Sequence, residues 1–262
     1  MDPWVTVRRV IADKRSGASA LALRTAGALP FLSGDRDVIR AARHILRAHG
    51  AMGSLWRVFD AALAGRTALA RLQGKIEGEA AAVASAAAGW ALPRRNARVL
   101  THSSSSIVLA TLEHAGPSRI ASVECTASLP GGEGRALAAR LRRMGFAARA
   151  IHDAALARAC AEANVVLVGA DAITPASLIN KTGTMPLALT ARETGVPCYA
   201  LSGSTKMVPA WIWNPQRAPA YDATPLEIFD AVVTERGPMR TAGLRRAAAR
   251  ITLDERLEAI AR

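Results

Sequence analysis

An aspartate and an Asn-Lys pair follow one strongly apolar stretch of this sequence. Asp171 comes directly after VVLVGA, and Asn180 and Lys181 stand nine and ten residues further on. A carboxylate that loses water at such a position has a raised pKa and can transfer protons, whereas a nearby ammonium opposes that shift. The pattern indicates acid-base chemistry or an anionic ligand. Taken singly, Asp171 could cap a turn, and Lys181 could be a surface residue at the start of a helix.

Hydroxyl, glycine and basic residues also follow four other short apolar runs in the same half of the chain. Their sequences are THSSSS, CTASLPGGEG, HD and SGSTK. Serine and threonine donate hydrogen bonds to phosphate oxygens, and a helix N-terminus such as the one expected near Ser104 favours anions. This composition is typical of a site for a polar, phosphorylated small molecule.

The elements that must position these residues alternate between strand and helix from about residue 95 onward. Six short apolar runs, rich in β-branched residues, are separated by segments of helical periodicity. This alternation predicts parallel strands joined by crossover helices. In such a sheet the ligand crevice lies beyond the carboxyl ends of the strands, so the polar segments should meet there. Asn180 and Lys181 are expected to begin the helix after the fourth strand.

The first 95 residues carry apolar side chains three and four positions apart, with breaks at Gly, Pro and Ser-Gly-Asp sequences. The predicted fold class is therefore α/β, with a helical N-terminal domain over 1–95. A Rossmann-like, doubly wound, mainly parallel sheet is expected over 96–262. The basic segment after about residue 240 predicts one or two amphipathic helices as a C-terminal tail.

The net charge of +13 permits a nucleic acid partner, an acidic metabolite or simply a solvated basic surface. The arginines occur in scattered pairs without a dense run, and only 4% of the residues are aromatic. Such a sequence offers no row of stacking platforms for a single strand, so nucleic acid binding is not expected.

The three cysteines form neither a CxxC pair nor a Cys/His cluster, so no metal site and no disulfide framework is predicted. No apolar run reaches the ~20 residues of a membrane span, and the N-terminus lacks a signal-peptide pattern. A cytoplasmic protein without membrane contact is expected.

Six ordered segments carry a family resemblance. They are KRSGASALALRTAGAL, LTHSSSSIVLATLEHAG, LPGGEGRALAARL, GADAITPASLINKTGT, STKMVP and YDATPLEIFDAVVTERG. The last three are similar to G-A-D-x-I with x-N-K-x-G-T, to S-x-K-x-x-P and to F-D-x-T-P-x-x-x-I-x-x-x-x-T-E-x-G. These are motifs of the initiation factor 2B alpha/beta/delta family, whose relatives include ribose-1,5-bisphosphate isomerase and methylthioribose-1-phosphate isomerase.

The resemblance implies a sugar-phosphate pocket between the two domains, a dimer formed through the Rossmann-like domain, and no metal or organic cofactor. It implies Asp171 as the acid-base group of the isomerase branches, with Ser103, directly after His102, at the place of its cysteine partner. It also implies a set of residues that contact the ligand, namely Gly17, Thr101, Ser104, Arg135, Asn180, Lys181, Gly183 and Lys206.

Two departures from the family pattern bear on function. Ser103 replaces the cysteine, and a hydroxyl is several pKa units less acidic than a thiol. His102 is either a base for Ser103 or a packed, hydrogen-bonded histidine. Ala127 and Leu129 stand where an acid and an arginine are expected, and leucine cannot supply a bidentate fork for a second phosphate.

These departures favour a binding or regulatory protein of the factor 2B type. It would hold a phosphorylated sugar or nucleotide and would associate with itself, with a further protein partner left open. The alternative is an aldose-ketose isomerase of a pentose phosphate that uses Asp171.

Overall fold

The computed structural model describes residues 2–261. Its N-terminal part is helical, as the periodicity predicted. The side chain of Asp13 separates the first two helices, because it accepts hydrogen bonds from the backbone amides of Arg15 and Ser16, each at 2.9 Å. The five helices are α1 (Pro3–Ala12), α2 (Ala18–Ala28), α3 (Asp35–His49), α4 (Gly53–Leu63) and α5 (Arg66–Trp90).

A seven-stranded sheet follows, and the six predicted strands are its parallel members. They are β1 (Ala97–His102), β2 (Ile120–Thr126), β3 (Ala148–Ile151), β4 (Val165–Val168), β7 (Cys198–Leu201) and β9 (Ala231–Thr234). A seventh strand, β10 (Gly237–Met239), pairs antiparallel with β9.

The strand order, β10-β9-β7-β4-β1-β2-β3, shows that the chain first winds outward from β1 and then returns to lay β4 on its other side. The predicted α/β fold class is thus confirmed. The reversal between β1 and β4 creates a crevice at their carboxyl ends, which is where ligands bind in open sheets of this kind. The helices of this part are α6 (Ser106–Ala115), α7 (Glu133–Arg143), α8 (Leu156–Glu162), α9 (Thr184–Thr194), α10 (Thr241–Ala249) and α11 (Glu255–Ala261).

A second, antiparallel sheet of three strands was not expected from the sequence. It consists of β5 (Ala172–Ile173), β6 (Ser177–Lys181) and β8 (Tyr221–Pro225), in the order β5-β6-β8. The prediction that Asn180 and Lys181 begin a helix is wrong, because both end β6 and α9 begins only at Thr184. The buried run Leu178 to Asn180 suits a strand with both faces covered, and so short a run carries no periodicity that distinguishes it from a helix.

Three apolar cores connect these layers. Phe59 and Leu55 of the helical bundle share a core with Ile179 of β6, so the bundle rests on the small sheet. Val83, in the second half of α5, packs instead with Ile107 against one face of the large sheet. The third core covers the opposite face. A domain boundary near residue 95 stays a prediction, since α5 contributes to two cores.

No helix within residues 2–261 combines the length and the hydropathy that crossing a membrane requires. Within the same residues, no group of three or more His, Cys, Asp or Glu side chains is arranged to hold a metal ion.

Candidate functional site

A cleft of about 340 Å³ lies between the helical bundle and the carboxyl ends of the strands. The bundle contributes the loop between α1 and α2 and the end of α3. The sheet side contributes the loops after β1 and β4, the start of α7 and the end of β6. Five of the residues predicted from the sequence line this cleft, namely Gly17, Ser103, Ser104, Asp171 and Lys181.

Asp171 lies in the loop after β4, and its backbone is fixed on both sides. Its N–H donates to the carbonyl of Ile179 at 2.8 Å, and its own carbonyl accepts from the N–H of Gly53, at the start of α4, at 2.8 Å. The side chain is half-buried. Burial raises the pKa of this carboxyl, while the positive charges of Lys206 and Lys181 oppose the rise. The site therefore holds a carboxyl group suited to exchanging protons.

Lys181 is paired with an acid that sequence analysis did not single out. Its Nζ atom donates to Oε1 of Glu133, the first residue of α7, at 2.8 Å. The Lys181 carbonyl accepts from Oγ1 of Thr184 at 2.7 Å, and that hydroxyl in turn accepts from the side-chain amide of Asn180 at 2.9 Å. Asn180 is buried and stabilises this turn rather than lining the cleft.

Lys206 is buried close to Asp171 but does not line the cleft either. Its Nζ atom donates to the carbonyl of Ala170 at 2.6 Å. Burial lowers the pKa of this ammonium, and the carboxylates of Asp171 and Glu79 oppose the decrease. Lys206 thus supports the Asp171 loop from within the protein.

His102 has both ring nitrogens engaged. Nδ1 lies 2.6 Å from Oγ1 of Thr126, and Nε2 lies 2.9 Å from the carbonyl oxygen of Thr182. Because a carbonyl only accepts, Nε2 carries the proton and Nδ1 accepts from the threonine hydroxyl. Burial lowers the pKa of His102, which keeps the ring neutral. His102 and Gly183 line a separate cavity of about 350 Å³.

Ser103 turns the chain from β1 into the cleft. Its φ of 64° lies in the left-handed region, which is uncommon for serine. Its backbone N–H donates to Oγ of Ser128 at 2.7 Å, and that oxygen lies 3.3 Å from Nδ1 of His102. The Ser103 hydroxyl itself makes no hydrogen bond within residues 2–261. Ser105, rather than Ser104, caps α6 by accepting from the N–H of Val108 at 3.4 Å.

The remaining predicted ligand contacts lie away from the cleft. Thr101 is buried in β1, where its hydroxyl has no hydrogen-bond partner within residues 2–261. Arg135 is exposed on α7. Leu129, at the place of the expected arginine, is half exposed and lines the cavity beside His102.

Several residues of the cleft were missed. The loop between α1 and α2 brings Lys14 and Arg15 to the rim, although only Gly17 of that segment was predicted to contact a ligand. Tyr221 and Arg217 also line the cleft. The signal for Tyr221 was available, because it begins the recognised YDATP motif. No local signal points to Arg217, which donates to the carbonyl of Ala261 at 2.8 Å.

A family model described as the Initiation factor 2 subunit family matches residues 41–218. The chain belongs to this family. The resemblance deduced from the motifs is thus confirmed.

Among curated members of related sequence, ribose 1,5-bisphosphate isomerase of Haloferax volcanii is 34% identical over 168 residues, which cover 53% of this chain and 51% of that protein. A putative translation initiation factor eIF-2B subunit 2-like protein of Pyrococcus abyssi is 32% identical over 155 residues, which cover 53% and 56%. The chain spans about half the length of the curated relatives it matches.

Solved structures show the same fold. The translation initiation factor eIF-2B of Pyrococcus horikoshii OT3 superposes with a TM-score of 0.81 at 24% identity, covering 90% of this chain and 96% of that one. The 5-methylthioribose 1-phosphate isomerase of the same organism gives a TM-score of 0.65 at 17% identity, covering 95% and 86%. At these identities the likeness extends to the fold alone.

Proposed function

We propose that this Initiation factor 2 subunit family member binds a phosphorylated small molecule, a sugar phosphate or a nucleotide, in the cleft between bundle and sheet. The convergence of Ser103, Ser104 and Lys181 with the Lys14–Arg15 loop on one hollow supports this most directly. Hydroxyl, ammonium and guanidinium groups are the donors that phosphate oxygens need. A hollow of about 340 Å³ is in the size range of small-molecule sites.

A regulatory, non-catalytic role is the first form of the proposal. Ser103 stands where the resemblance leads us to expect a cysteine, and its hydroxyl needs a base to become reactive. His102 is the nearest candidate in sequence, but its two nitrogens are engaged by Thr126 and Thr182. Within residues 2–261 no base is hydrogen-bonded to the Ser103 hydroxyl, which supports binding without turnover.

Aldose-ketose isomerisation of a pentose phosphate is the second form. Asp171 favours it, because a carboxyl that lines the cleft and has a raised pKa is suited to moving protons between neighbouring carbons. Relatives named ribose 1,5-bisphosphate isomerase and methylthioribose 1-phosphate isomerase add support. Both forms include a cytoplasmic homodimer without metal or organic cofactor, and leave a protein partner open.

Calorimetric titration with ribose 1,5-bisphosphate, ribose 5-phosphate and AMP tests the binding. Binding also stabilises the folded chain against unfolding, by about 2.7 kcal/mol when the ligand concentration is 100 times the Kd. Lys181→Ala should remove most of this stabilisation. Arg158→Ala is the matched control, because it deletes an exposed cation on α8, away from the cleft. If none of the three compounds binds to the wild type, the proposal fails for these ligands.

Turnover distinguishes the two forms. Ketose formation from ribose 1,5-bisphosphate by the wild type, lost in Asp171→Asn, would establish the isomerase. Binding of the same compound without ketose formation at high enzyme concentration would support the regulatory form.

A further inference from the structure

Tyr221 is one of the residues that line the cleft, and it carries a phenolic hydroxyl. It begins β8 and stands directly opposite Lys181 of β6 in the antiparallel register. Side chains of opposed residues lie on the same face of a sheet, with Cβ atoms roughly 4.5–5.5 Å apart. The half-buried Tyr221 side chain therefore lies on the same face of the small sheet as that of Lys181, and both residues line the cleft with Asp171.

The hydroxyl of Tyr221 has no hydrogen-bond partner within residues 2–261, whereas Lys181 and Glu133 beside it are paired with each other. Lys181 donates to Glu133 at 2.8 Å. Burial, together with the negative charges of Asp171 and Glu133, raises the pKa of Tyr221, so the group stays protonated and acts as a donor. Ligand sites place a few polar groups, tyrosine hydroxyls among them, on an otherwise packed wall, so a donor without a protein partner on a residue that lines the cleft is available to a ligand oxygen.

Packing alone does not require this oxygen. The ring packs against the apolar core of the helical bundle, a contact that phenylalanine would make equally well. The family motif F-D-x-T-P has phenylalanine here, whereas this chain has YDATP. The hydroxyl is therefore the part of Tyr221 that packing does not explain.

We propose that Tyr221 is a specificity-determining residue whose Oη–H donates a hydrogen bond to an oxygen of the sugar part of the ligand, next to Asp171. This inference rests on the proposed function and narrows it to phosphorylated sugars with a free hydroxyl or carbonyl group near the Asp171 carboxyl. Recognition of the phosphate itself is left to the basic and serine side chains.

Titration of Tyr221→Phe with ribose 5-phosphate and with inorganic phosphate tests the inference. The variant should bind ribose 5-phosphate about tenfold more weakly, since one hydrogen bond is lost, and should bind inorganic phosphate as the wild type does. Tyr199→Phe is the matched control, because Tyr199 is the other of the chain's two tyrosines and packs on Trp90, with ring centroids 4.8 Å apart. It should change neither affinity.

A measurement on the intact hydroxyl accompanies the variant. In Tyr199→Phe labelled with ¹³C at the tyrosine Cζ, the single remaining resonance belongs to Tyr221, and ribose 5-phosphate should shift it more than inorganic phosphate does. An unshifted resonance, or equal affinity of Tyr221→Phe and wild type for ribose 5-phosphate, would overturn the inference while leaving the cleft proposal standing. An equal loss of affinity of Tyr221→Phe for ribose 5-phosphate and for inorganic phosphate would overturn the inference too. If the wild type binds neither compound, the proposed function fails and takes this inference with it.

Discussion

The Nζ atom of Lys181 lies 2.8 Å from Oε1 of Glu133, so the lysine of the cleft already has an anionic partner. Both side chains line the cleft, and a phosphate that enters must compete with Glu133 for the ammonium. We therefore expect the carboxylate to weaken the binding of anions at this point. It also holds Lys181 in the orientation in which the ammonium faces the cleft.

Glu133→Gln should bind phosphorylated sugars more tightly, because the competing charge is gone while the side chain keeps its shape. Partly exposed ion pairs are worth about 1 kcal/mol or less, so the gain should be at most about fivefold. Isothermal titration of ribose 5-phosphate measures it. Glu162→Gln, which breaks the exposed pair with Arg158, is the control. Weaker binding by Glu133→Gln would show instead that the carboxylate contacts the ligand.

His102 should act through its shape and hydrogen bonds rather than as a base. His102→Phe leaves the Thr182 carbonyl without its donor and should cost about 1–3 kcal/mol of unfolding free energy in urea titrations. His102→Gln keeps a donor amide on the side chain and should retain more of this stability. A Phe variant as stable as wild type would contradict the hydrogen-bonded role.

The pH dependence of this histidine has a definite sign. Burial lowers the pKa of His102 in the folded protein below the unfolded value near 6.5. As the pH falls, the unfolded chain therefore takes up the proton at a higher pH than the folded chain does. The stability that His102 contributes is therefore full above about pH 6.5 and is lost as the pH falls through the folded pKa. The difference in unfolding free energy between wild type and His102→Gln should shrink over that range. A difference that grows on acidification would mean that the protonated ring is the favoured form.

Local sequence pattern was sufficient for the bundle and the parallel sheet. Apolar spacing is set by each helix or strand on its own, and parallel strands bring their carboxyl ends to one edge whatever their order. Ser103 and Asp171 could therefore be expected to meet. The pattern also singled out Lys181 but not its strand conformation.

The features that the sequence pattern did not predict all depend on residues that are distant in sequence but in contact in the fold. Strand β6 forms because it pairs with β8, which places Lys181 opposite Tyr221, forty residues away. Glu133 contacts Lys181 across 48 positions, and His102 contacts Thr182 across 80. No periodicity within a short window contains such pairings, so the sequence alone could place Lys206 near Asp171 but could not show that it is buried.

A side chain at Gly203 should destabilise the folded chain. A Cβ atom built at this residue would overlap the carboxyl carbon of Glu79, which hydrogen bonds from the backbone N–H and the hydroxyl of Thr205 hold in place. We expect Gly203→Ala to lower the unfolding free energy by about 1–3 kcal/mol in urea titrations. Gly74→Ala is the matched control: this helical glycine has open space around it and should gain about 0.5–1 kcal/mol. Equal effects at the two sites would contradict the close contact.

Glu79 itself should make the docking of α5 on the loop after β7 depend on pH. The side chain is 4% exposed and accepts from the backbone N–H of Thr205 at 2.8 Å and from the Thr205 hydroxyl. Burial raises the pKa of Glu79 above its ordinary value of 4.5, although the bonds from Thr205 oppose the rise. In the folded chain the proton is therefore held to a higher pH than in the unfolded chain.

The stability that this proton contributes is full below about pH 4.5 and is lost as the pH rises through the folded pKa. The unfolding free energies of wild type and Glu79→Gln should be measured in urea at several pH values from 4.5 to 8. As the pH rises, the unfolding free energy of the wild type should decrease relative to that of the variant. Glu77→Gln, on the exposed side of the same helix, controls for removal of a carboxylate from α5. If the unfolding free energy of the wild type instead increased relative to that of Glu79→Gln, attraction to the buried Lys206 ammonium would outweigh the cost of burying the Glu79 charge.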